Sequence, residues 1–285
     1  MQWDKKRYAE VETGITRDGV ADAVDALRAF RELPDETKQA MGRGTRGKDT
    51  LGFKETNTEN DENERRLGKE PEHKAYVHYH PSVRTIFAEA IGAAGPTAAT
   101  LMEKLHALWV QTEAIAFRTV ERIEAEHAGN PAYTGFTKRI FPDGLTRGEP
   151  GLKHPNLKLR LMLYFKVDEG KLSANNHFDA GMLAFALMES NPGLQVGTRE
   201  KKDADGTIIQ PEVMEEIHRP DGTALCWPGT NYKNVDPSIE GTWHGVRQHT
   251  TDDVALGEEN RWVLVAFLDE YEERIPPIEE THGLT

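Results

Sequence analysis

The sequence predicts an α+β fold, a helical first half followed by a β half built as an antiparallel sandwich or jelly roll. Three observations predict it. Apolar residues recur at helical spacing as far as Ala128 and at strand spacing beyond Pro131. The later apolar runs are short and separated by Gly, Pro, Asn and Asp, the punctuation of many-stranded antiparallel folds. No internal repeat and no linker interrupts the chain, so helices and strands are read as one domain over 1–285. Its parts are a mainly helical region at 1–130, a β core at 131–275 and a tail at 276–285.

In chain order, Tyr8–Ile15 reads as a short strand and turn. A helix follows from Asp18, its N-cap, with Val20, Val24, Leu27 and Phe30 on one face. Pro34 ends it, and Asp35-Glu36-Thr37-Lys38 opens a second helix with acids in its first turn. Residues 42–75 are rich in Gly, Asn, Lys, Arg and Glu, with Leu51-Gly52-Phe53 as the apolar anchor. They read as a long loop and a candidate lid. Two helices come next, over 82–93 and 96–128. Pro96 suits a first helical turn, and Leu101, Leu105, Leu108, Ile115, Phe117, Val120 and Ile123 form its core stripe. Strands are expected at Phe136–Phe141, Leu157–Val167, Met182–Met188, Gly193–Val196, Val213–Ile217, Thr223–Trp227, Thr242–Val246 and Trp262–Leu268. Residues 198–207 read as a polar hairpin connection.

Bulk properties exclude several functions. A chain of 285 residues can bury roughly three-quarters of its unfolded surface, so it needs no disulfide for stability. The formal net charge of −13 argues against a general nucleic-acid binder, which needs a basic face, and against electrostatic membrane binding. Cys226 is the single cysteine, which excludes an internal disulfide or a cysteine-based zinc site. Within Ala224-Leu225-Cys226-Trp227 it reads as a buried, inert thiol. No apolar segment follows Met1-Gln2-Trp3-Asp4 and no run reaches the ~20 apolar residues of a membrane span. The expectation is a cytoplasmic protein.

One stretch carries chemistry. Asn176-His177-Phe178-Asp179-Ala180-Gly181 holds a His and an Asp two positions apart. On a strand such residues share a face, so an imidazole and a carboxylate converge. That is two-thirds of the two-His, one-carboxylate triad that holds non-haem Fe(II). Alone, the tripeptide reads as a polar surface turn, because His-x-Asp recurs by chance. A second histidine must come from elsewhere. His218 precedes a turn-like Arg219-Pro220-Asp221-Gly222, and His282 is in the tail. His244 lies inside a strand and ranks first; His249, beside a polar loop, ranks second. His73, His78 and His80 read as surface residues, and His106 as structural.

The surrounding residues resemble the 2-oxoglutarate and Fe(II)-dependent dioxygenases of the isopenicillin N synthase-like group. Val11-Glu12-Thr13-Gly14-Ile15 and the helix ending Leu33-Pro34-Asp35-Glu36-Thr37-Lys38 are similar to that group's N-terminal segment. Leu159-Arg160-Leu161-Met162-Leu163-Tyr164 resembles its strand before the metal motif. His177-Phe178-Asp179-Ala180-Gly181-Met182-Leu183 resembles the metal motif itself, and Gly193-Leu194-Gln195-Val196 a following signature. Trp243-His244-Gly245-Val246 stands at the distal His-Arg-Val. Arg261-Trp262-Val263 stands at Arg-x-Ser, with Phe267 behind it.

The resemblance implies a double-stranded β-helix (jelly-roll) core with helices packed on one side. It assigns His177, Asp179 and His244 to Fe(II), and Arg261 to the distal carboxylate of the cosubstrate 2-oxoglutarate, where a guanidinium makes a bidentate clamp. It implies consumption of O2, release of succinate and CO2, and oxidation, by default hydroxylation, of an unactivated C–H bond of a small-molecule metabolite, in the setting of secondary metabolism. The serine of the family pattern is Val263 here, so Tyr164 is a candidate for the missing hydrogen bond. The span from His244 to Arg261 is longer than the pattern, which keeps His249 as an alternative ligand. Asp179 argues against the halogenating relatives, in which that acid is replaced. Arg160, Lys158 and the region of Phe53 are candidate substrate contacts. The rival readings are a 2-oxoglutarate-independent oxidase or cyclase of the isopenicillin N synthase type, a cupin-like enzyme of other chemistry, and a non-catalytic metal-binding β-sandwich.

Overall fold

The computed structural model describes residues 7–43, 51–56, 72–145, 153–167, 172–220, 222–248 and 254–271. The helices are α1 (Arg17–Arg31), α2 (Asp35–Ala40), α3 (Val83–Ile86), α4 (Ala88–Ala94), α5 (Pro96–Glu126) and α6 (Phe136–Ile140). The strands are β1 (Ala9–Glu12), β2 (Gly42–Arg43), β3 (Leu51–Thr56), β4 (Lys74–Tyr79), β5 (Leu157–Phe165), β6 (Leu172–His177), β7 (Leu183–Glu189), β8 (Leu194–Thr198), β9 (Lys201–Lys202), β10 (Ile208–Gln210), β11 (Val213–Glu216), β12 (Thr223–Pro228), β13 (Trp243–Arg247) and β14 (Glu259–Leu268).

Two antiparallel sheets make the core. The larger has the order β1-β12-β7-β14-β5-β4-β3-β2 and the smaller β11-β8-β13-β6. Clusters that bridge them fix them face to face. Tyr76, Met162, Tyr164 and Val263 of the larger sheet pack on Ala174 and Val246 of the smaller. Ala184, Leu225 and Trp227 pack on Leu194 and Val196. This is the expected double-stranded β-helix.

Strand alternation decides what faces the inside. On β5, Leu157, Leu159, Leu161, Leu163 and Phe165 join the main core with the helices, while Arg160, Met162 and Tyr164 line the space between the sheets, as a period of two requires. β14 behaves alike, with Arg261, Val263, Val265 and Phe267 inward and Trp262, Leu264, Ala266 and Leu268 toward the helices. Helix α5 backs the larger sheet, and its Trp109 indole donates to the Leu157 carbonyl at 2.8 Å. Gly95 at φ 70° and Pro96 start it, in line with the Pro96 expectation.

The structure corrects four local expectations. Thr16, not Asp18, caps α1, its hydroxyl accepting from the Gly19 amide at 3.2 Å. Phe136–Phe141 is not a strand but α6, because Glu124 of α5 accepts the Gly135 and Thr137 amides, each at 2.8 Å, and so caps a helix start that the local sequence does not mark. The 42–75 stretch is not one loop: β2 and β3 extend the larger sheet, β3 pairing with β4 in register from Gly52↔His78 to Thr56↔Lys74. Residues 44–50 and 57–71, and with them the lid expectation, lie outside the described residues. Phe53 is core, its ring 5.2 Å from Phe30 in an edge-on contact, and is no substrate contact. The tail at 276–285 and His249 and His282 also lie outside the described residues. Among the described residues no helix is long and apolar enough to cross a membrane.

Candidate metal centre

His177 ends β6, and Asp179 follows in the next loop; His244 stands opposite His177 in the β13–β6 register. One ligand atom from each of His177, Asp179 and His244 lies within 4.8 Å of the others. His177 Nε2 is 3.7 Å from Asp179 Oδ1 and His244 Nε2 is 3.4 Å from Oδ2. Both rings are set by the backbone two residues before them. His177 Nδ1 is 2.6 Å from the Asn175 carbonyl and His244 Nδ1 is 3.0 Å from that of Thr242. A carbonyl can only accept, so each Nδ1 donates to it, and Nε2 is the ring nitrogen turned to Asp179, the one a neutral imidazole offers to a metal.

Asp179 is the most tightly held member. The indole of Trp227 donates to its Oδ2 at 3.0 Å. Its carbonyl accepts the Thr230 amide at 2.7 Å, and Gly229 donates to Met182 at 2.9 Å. Gly229 is required there, since a Cβ would stand 2.1 Å from the Gly181 carbonyl oxygen. Burial pushes the Asp179 carboxyl up, yet the facing imidazoles of His244 and His177 and the hydrogen bond from Trp227 outweigh it and hold it well below the usual carboxylate range. Burial lowers His177, but the facing Asp179 carboxylate leaves it raised; burial leaves His244 lowered. Half-exposed His177, with 41% of its side chain accessible, is the open side of the site; His244 and Asp179 are 6% and 8% exposed.

The triad and Arg261 wall one cavity between the sheets. Arg261 is only partly as expected. Its Nη2 pairs with Glu189 of β7, and its Nε donates to the Asn191 carbonyl at 2.9 Å. Nη1 is buried without a hydrogen bond. So one terminal nitrogen, rather than a bidentate fork, is left for an anion. Gly193 makes room: its φ is +155°, and a Cβ there would meet the Arg247 carbonyl oxygen at 2.8 Å and the Arg261 guanidinium carbon at 3.6 Å. Tyr164 pairs across the strands with Arg261 on one side and Lys74 on the other, and its ring centre is 5.8 Å from the guanidinium. Burial leads in raising the Tyr164 phenol, which therefore stays protonated. Val263 sits in the apolar wall with Met162 and Tyr76.

The other expected residues separate cleanly. Cys226 is buried and its thiol is pushed up by burial, an inert core group. His106 is structural, with Nδ1 3.0 Å from the Tyr79 hydroxyl and its ring stacked on Trp109. His218 is exposed and far from any ligand role. His78 is the correction: it is buried rather than on the surface, because β4 is an inner strand of the larger sheet. Four contributors escape sequence reasoning: Trp227, Glu189, Gly229 and Glu72, which accepts the Asn175 amide at 2.8 Å and pairs with Lys74. Only Trp227-Pro228-Gly229 carries a local signal, a strand-end aromatic before a turn.

A jelly roll with a His-x-Asp…His set at the end of β6 and the start of β13 is a fold shared with solved 2-oxoglutarate/Fe(II) oxygenases. Among solved structures, a provisionally assigned oxygenase from Shewanella oneidensis matches 93% of this chain and 82% of its own, with a TM-score of 0.59 and 17% identity. The dioxygenase for auxin oxidation 1 from Arabidopsis thaliana, in binary complex with 2-oxoglutarate, matches 94% of this chain and 85% of its own, with a TM-score of 0.55 and 14% identity. JOX2, solved with 2OG, Fe and JA, matches 93% and 68%, with a TM-score of 0.58 and 16% identity. No protein-family model matches the chain, and no curated protein matches it by sequence.

Proposed function

We propose that this chain is a non-haem Fe(II), 2-oxoglutarate-dependent oxygenase that oxidises, by default hydroxylates, a C–H bond of a small organic molecule with release of succinate and CO2. The observation that carries the reading is the convergence of His177, Asp179 and His244 within 4.8 Å, in the same cavity as Arg261. The donor set fits Fe(II): two imidazoles and one carboxylate are donor types that would hold that ion. When bound, the metal supplies the activation of O2.

The chain's own groups do the rest. Nε2 of His177, Nε2 of His244 and a carboxylate oxygen of Asp179 would hold the metal. Arg261 Nη1, buried and without a partner, offers a charge-assisted hydrogen bond to the distal carboxylate of 2-oxoglutarate, and the neighbouring Tyr164 phenol offers a neutral one. Met162, Val246, Val263 and Val265 wall the space between, which keeps water from the reacting centre. The same fold houses 2-oxoglutarate in the auxin-oxidation dioxygenase and Fe with an organic molecule in JOX2, which supports the reading. The test is anaerobic loading with Fe(II) and 2-oxoglutarate, then admission of air. Succinate formation that vanishes in Asp179→Ala and on chelation is expected; succinate formed equally by the variant refutes the reading.

A further inference from the structure

A second cavity meets the triad at Asp179 alone and is walled by His78, Lys158, Arg160, Asp179, Phe267 and Asp269 among others. It adjoins the first at Asp179, Arg160 and Phe267, which line both. Lys158 and Arg160 are two apart on β5 and so share its inward face.

Arg160 is held in an unusual way. Its Nε–H donates to Nε2 of His78, its cross-strand partner on β4. Its guanidinium carbon lies 4.6 Å from the Phe267 ring centre and 5.2 Å from that of Tyr76. His78 is itself only 3% exposed and packs 5.0 Å from the Tyr76 ring. These contacts use the Nε edge and the flat face of the group. Neither terminal nitrogen makes a hydrogen bond or ion pair with any described residue, whereas Lys74 is paired with Glu72 and Arg261 with Glu189. The acids in the wall are engaged too. Asp179 belongs to the triad, and Asp269 accepts from Asn231 Nδ2 at 3.0 Å and from the Glu270 amide at 3.0 Å.

A guanidinium fixed on three sides, with its terminal pair unspent, is pre-organised for a planar oxyanion. We infer that Arg160 binds a carboxylate of the primary substrate, so that the substrate class is a small organic acid. The acid occupies the second cavity with its carboxylate on Arg160 and its oxidised carbon toward Asp179. Lys158 adds positive potential on the same wall. The inference rests on the oxygenase reading, which supplies the reason for a substrate beside Asp179.

The test uses the full chain loaded with redox-inert Zn(II) and saturating 2-oxoglutarate, so that Arg261 is occupied. Monocarboxylates from butyrate to dodecanoate and 3-phenylpropionate, each with its primary amide, are compared by ligand-observed NMR. At least one acid should bind tenfold or more tighter than its amide, the ratio expected from a charge-assisted hydrogen bond of about 1.5–3 kcal/mol. Arg160→Gln should erase that preference without weakening the amide, and Arg160→Lys should keep part of it. Equal binding of acids and amides in the unmodified protein overturns the inference, as does no acid binding at all. A preference that survives Arg160→Gln, or one for phosphate monoesters over carboxylates, also overturns it. The comparison is repeated without metal and cosubstrate. Failure to bind Zn(II) and 2-oxoglutarate with an Arg160-dependent acid preference intact would instead refute the oxygenase reading alone.

Discussion

Trp227→Phe isolates one hydrogen bond. The indole Nε1–H donates to Asp179 Oδ2 at 3.0 Å in a buried setting, and its ring lies 4.9 Å from that of His244. Phenylalanine keeps an aromatic ring there and removes the donor. A hydrogen bond to a charged group is worth about 1.5–3 kcal/mol. Outer partners of metal ligands change metal affinity about 10–100-fold, or roughly 1.4–2.7 kcal/mol, so the two scales agree. Burial already pushes the Asp179 carboxyl up, and the Trp227 bond is one of the contacts that offset it. Without it the carboxylate is a poorer and less oriented ligand. The assay is Mn(II) affinity from the free-ion EPR signal at fixed pH, beside urea unfolding of the metal-free chain. A loss of at least tenfold in affinity is expected. Affinity within about twofold of the parent, whether or not stability falls, would show that Trp227 does not position Asp179.

Three further outcomes follow from the same geometry. Gly193→Ala places a methyl against the Arg247 carbonyl and the Arg261 guanidinium, so 2-oxoglutarate affinity should fall by more than tenfold while Mn(II) affinity changes less; calorimetric titration of each decides it. Metal binding should depend on pH through His177. Its folded-state value is raised, so in the metal-free chain its contribution to stability is complete below the unfolded value of ~6.5 and is lost as pH rises through the folded one. The metal must displace that proton, so affinity should drop about tenfold per pH unit below the raised value and level off above it; a flat titration across that window would sink the assignment. Cys226 should resist a thiol reagent in the native state and react only as the chain unfolds, because burial both hides it and raises its thiol; rapid native labelling would contradict its place in the core.

What the sequence made legible was local. The spacing of His177 and Asp179, the Pro96 helix start and the α5 stripe all act over one to four residues. What it hid was supplied from a distance. Glu124 caps α6 from another helix, so Phe136–Phe141 looked like a strand. Gly52, with φ 76° and no room for a Cβ beside the Met41 carbonyl, made β3 resemble a loop. Leu161-Met162-Leu163-Tyr164-Phe165 is apolar on both faces because β5 is covered on both. Composition therefore could not say which of its residues face the cavity.

Arg261 shows the limit most clearly. Its position was readable from the residues around it, and the structure puts it in the wall of the cavity that the triad also lines. Its partner was not readable, because Glu189 lies 72 residues away and meets it only through the β14–β7 register. That partner changes the chemistry expected of the guanidinium. A free fork would hold a carboxylate by two parallel hydrogen bonds. Here Glu189 takes one terminal nitrogen and offsets the charge, so on the proposed function recognition of 2-oxoglutarate would draw on Tyr164 and on the space that Gly193 leaves open. The unspent fork in this cavity system belongs instead to Arg160, on the neighbouring strand. On the proposed function the two guanidiniums would serve two anions: Arg261, through its remaining Nη1, the cosubstrate, and Arg160 the substrate carboxylate.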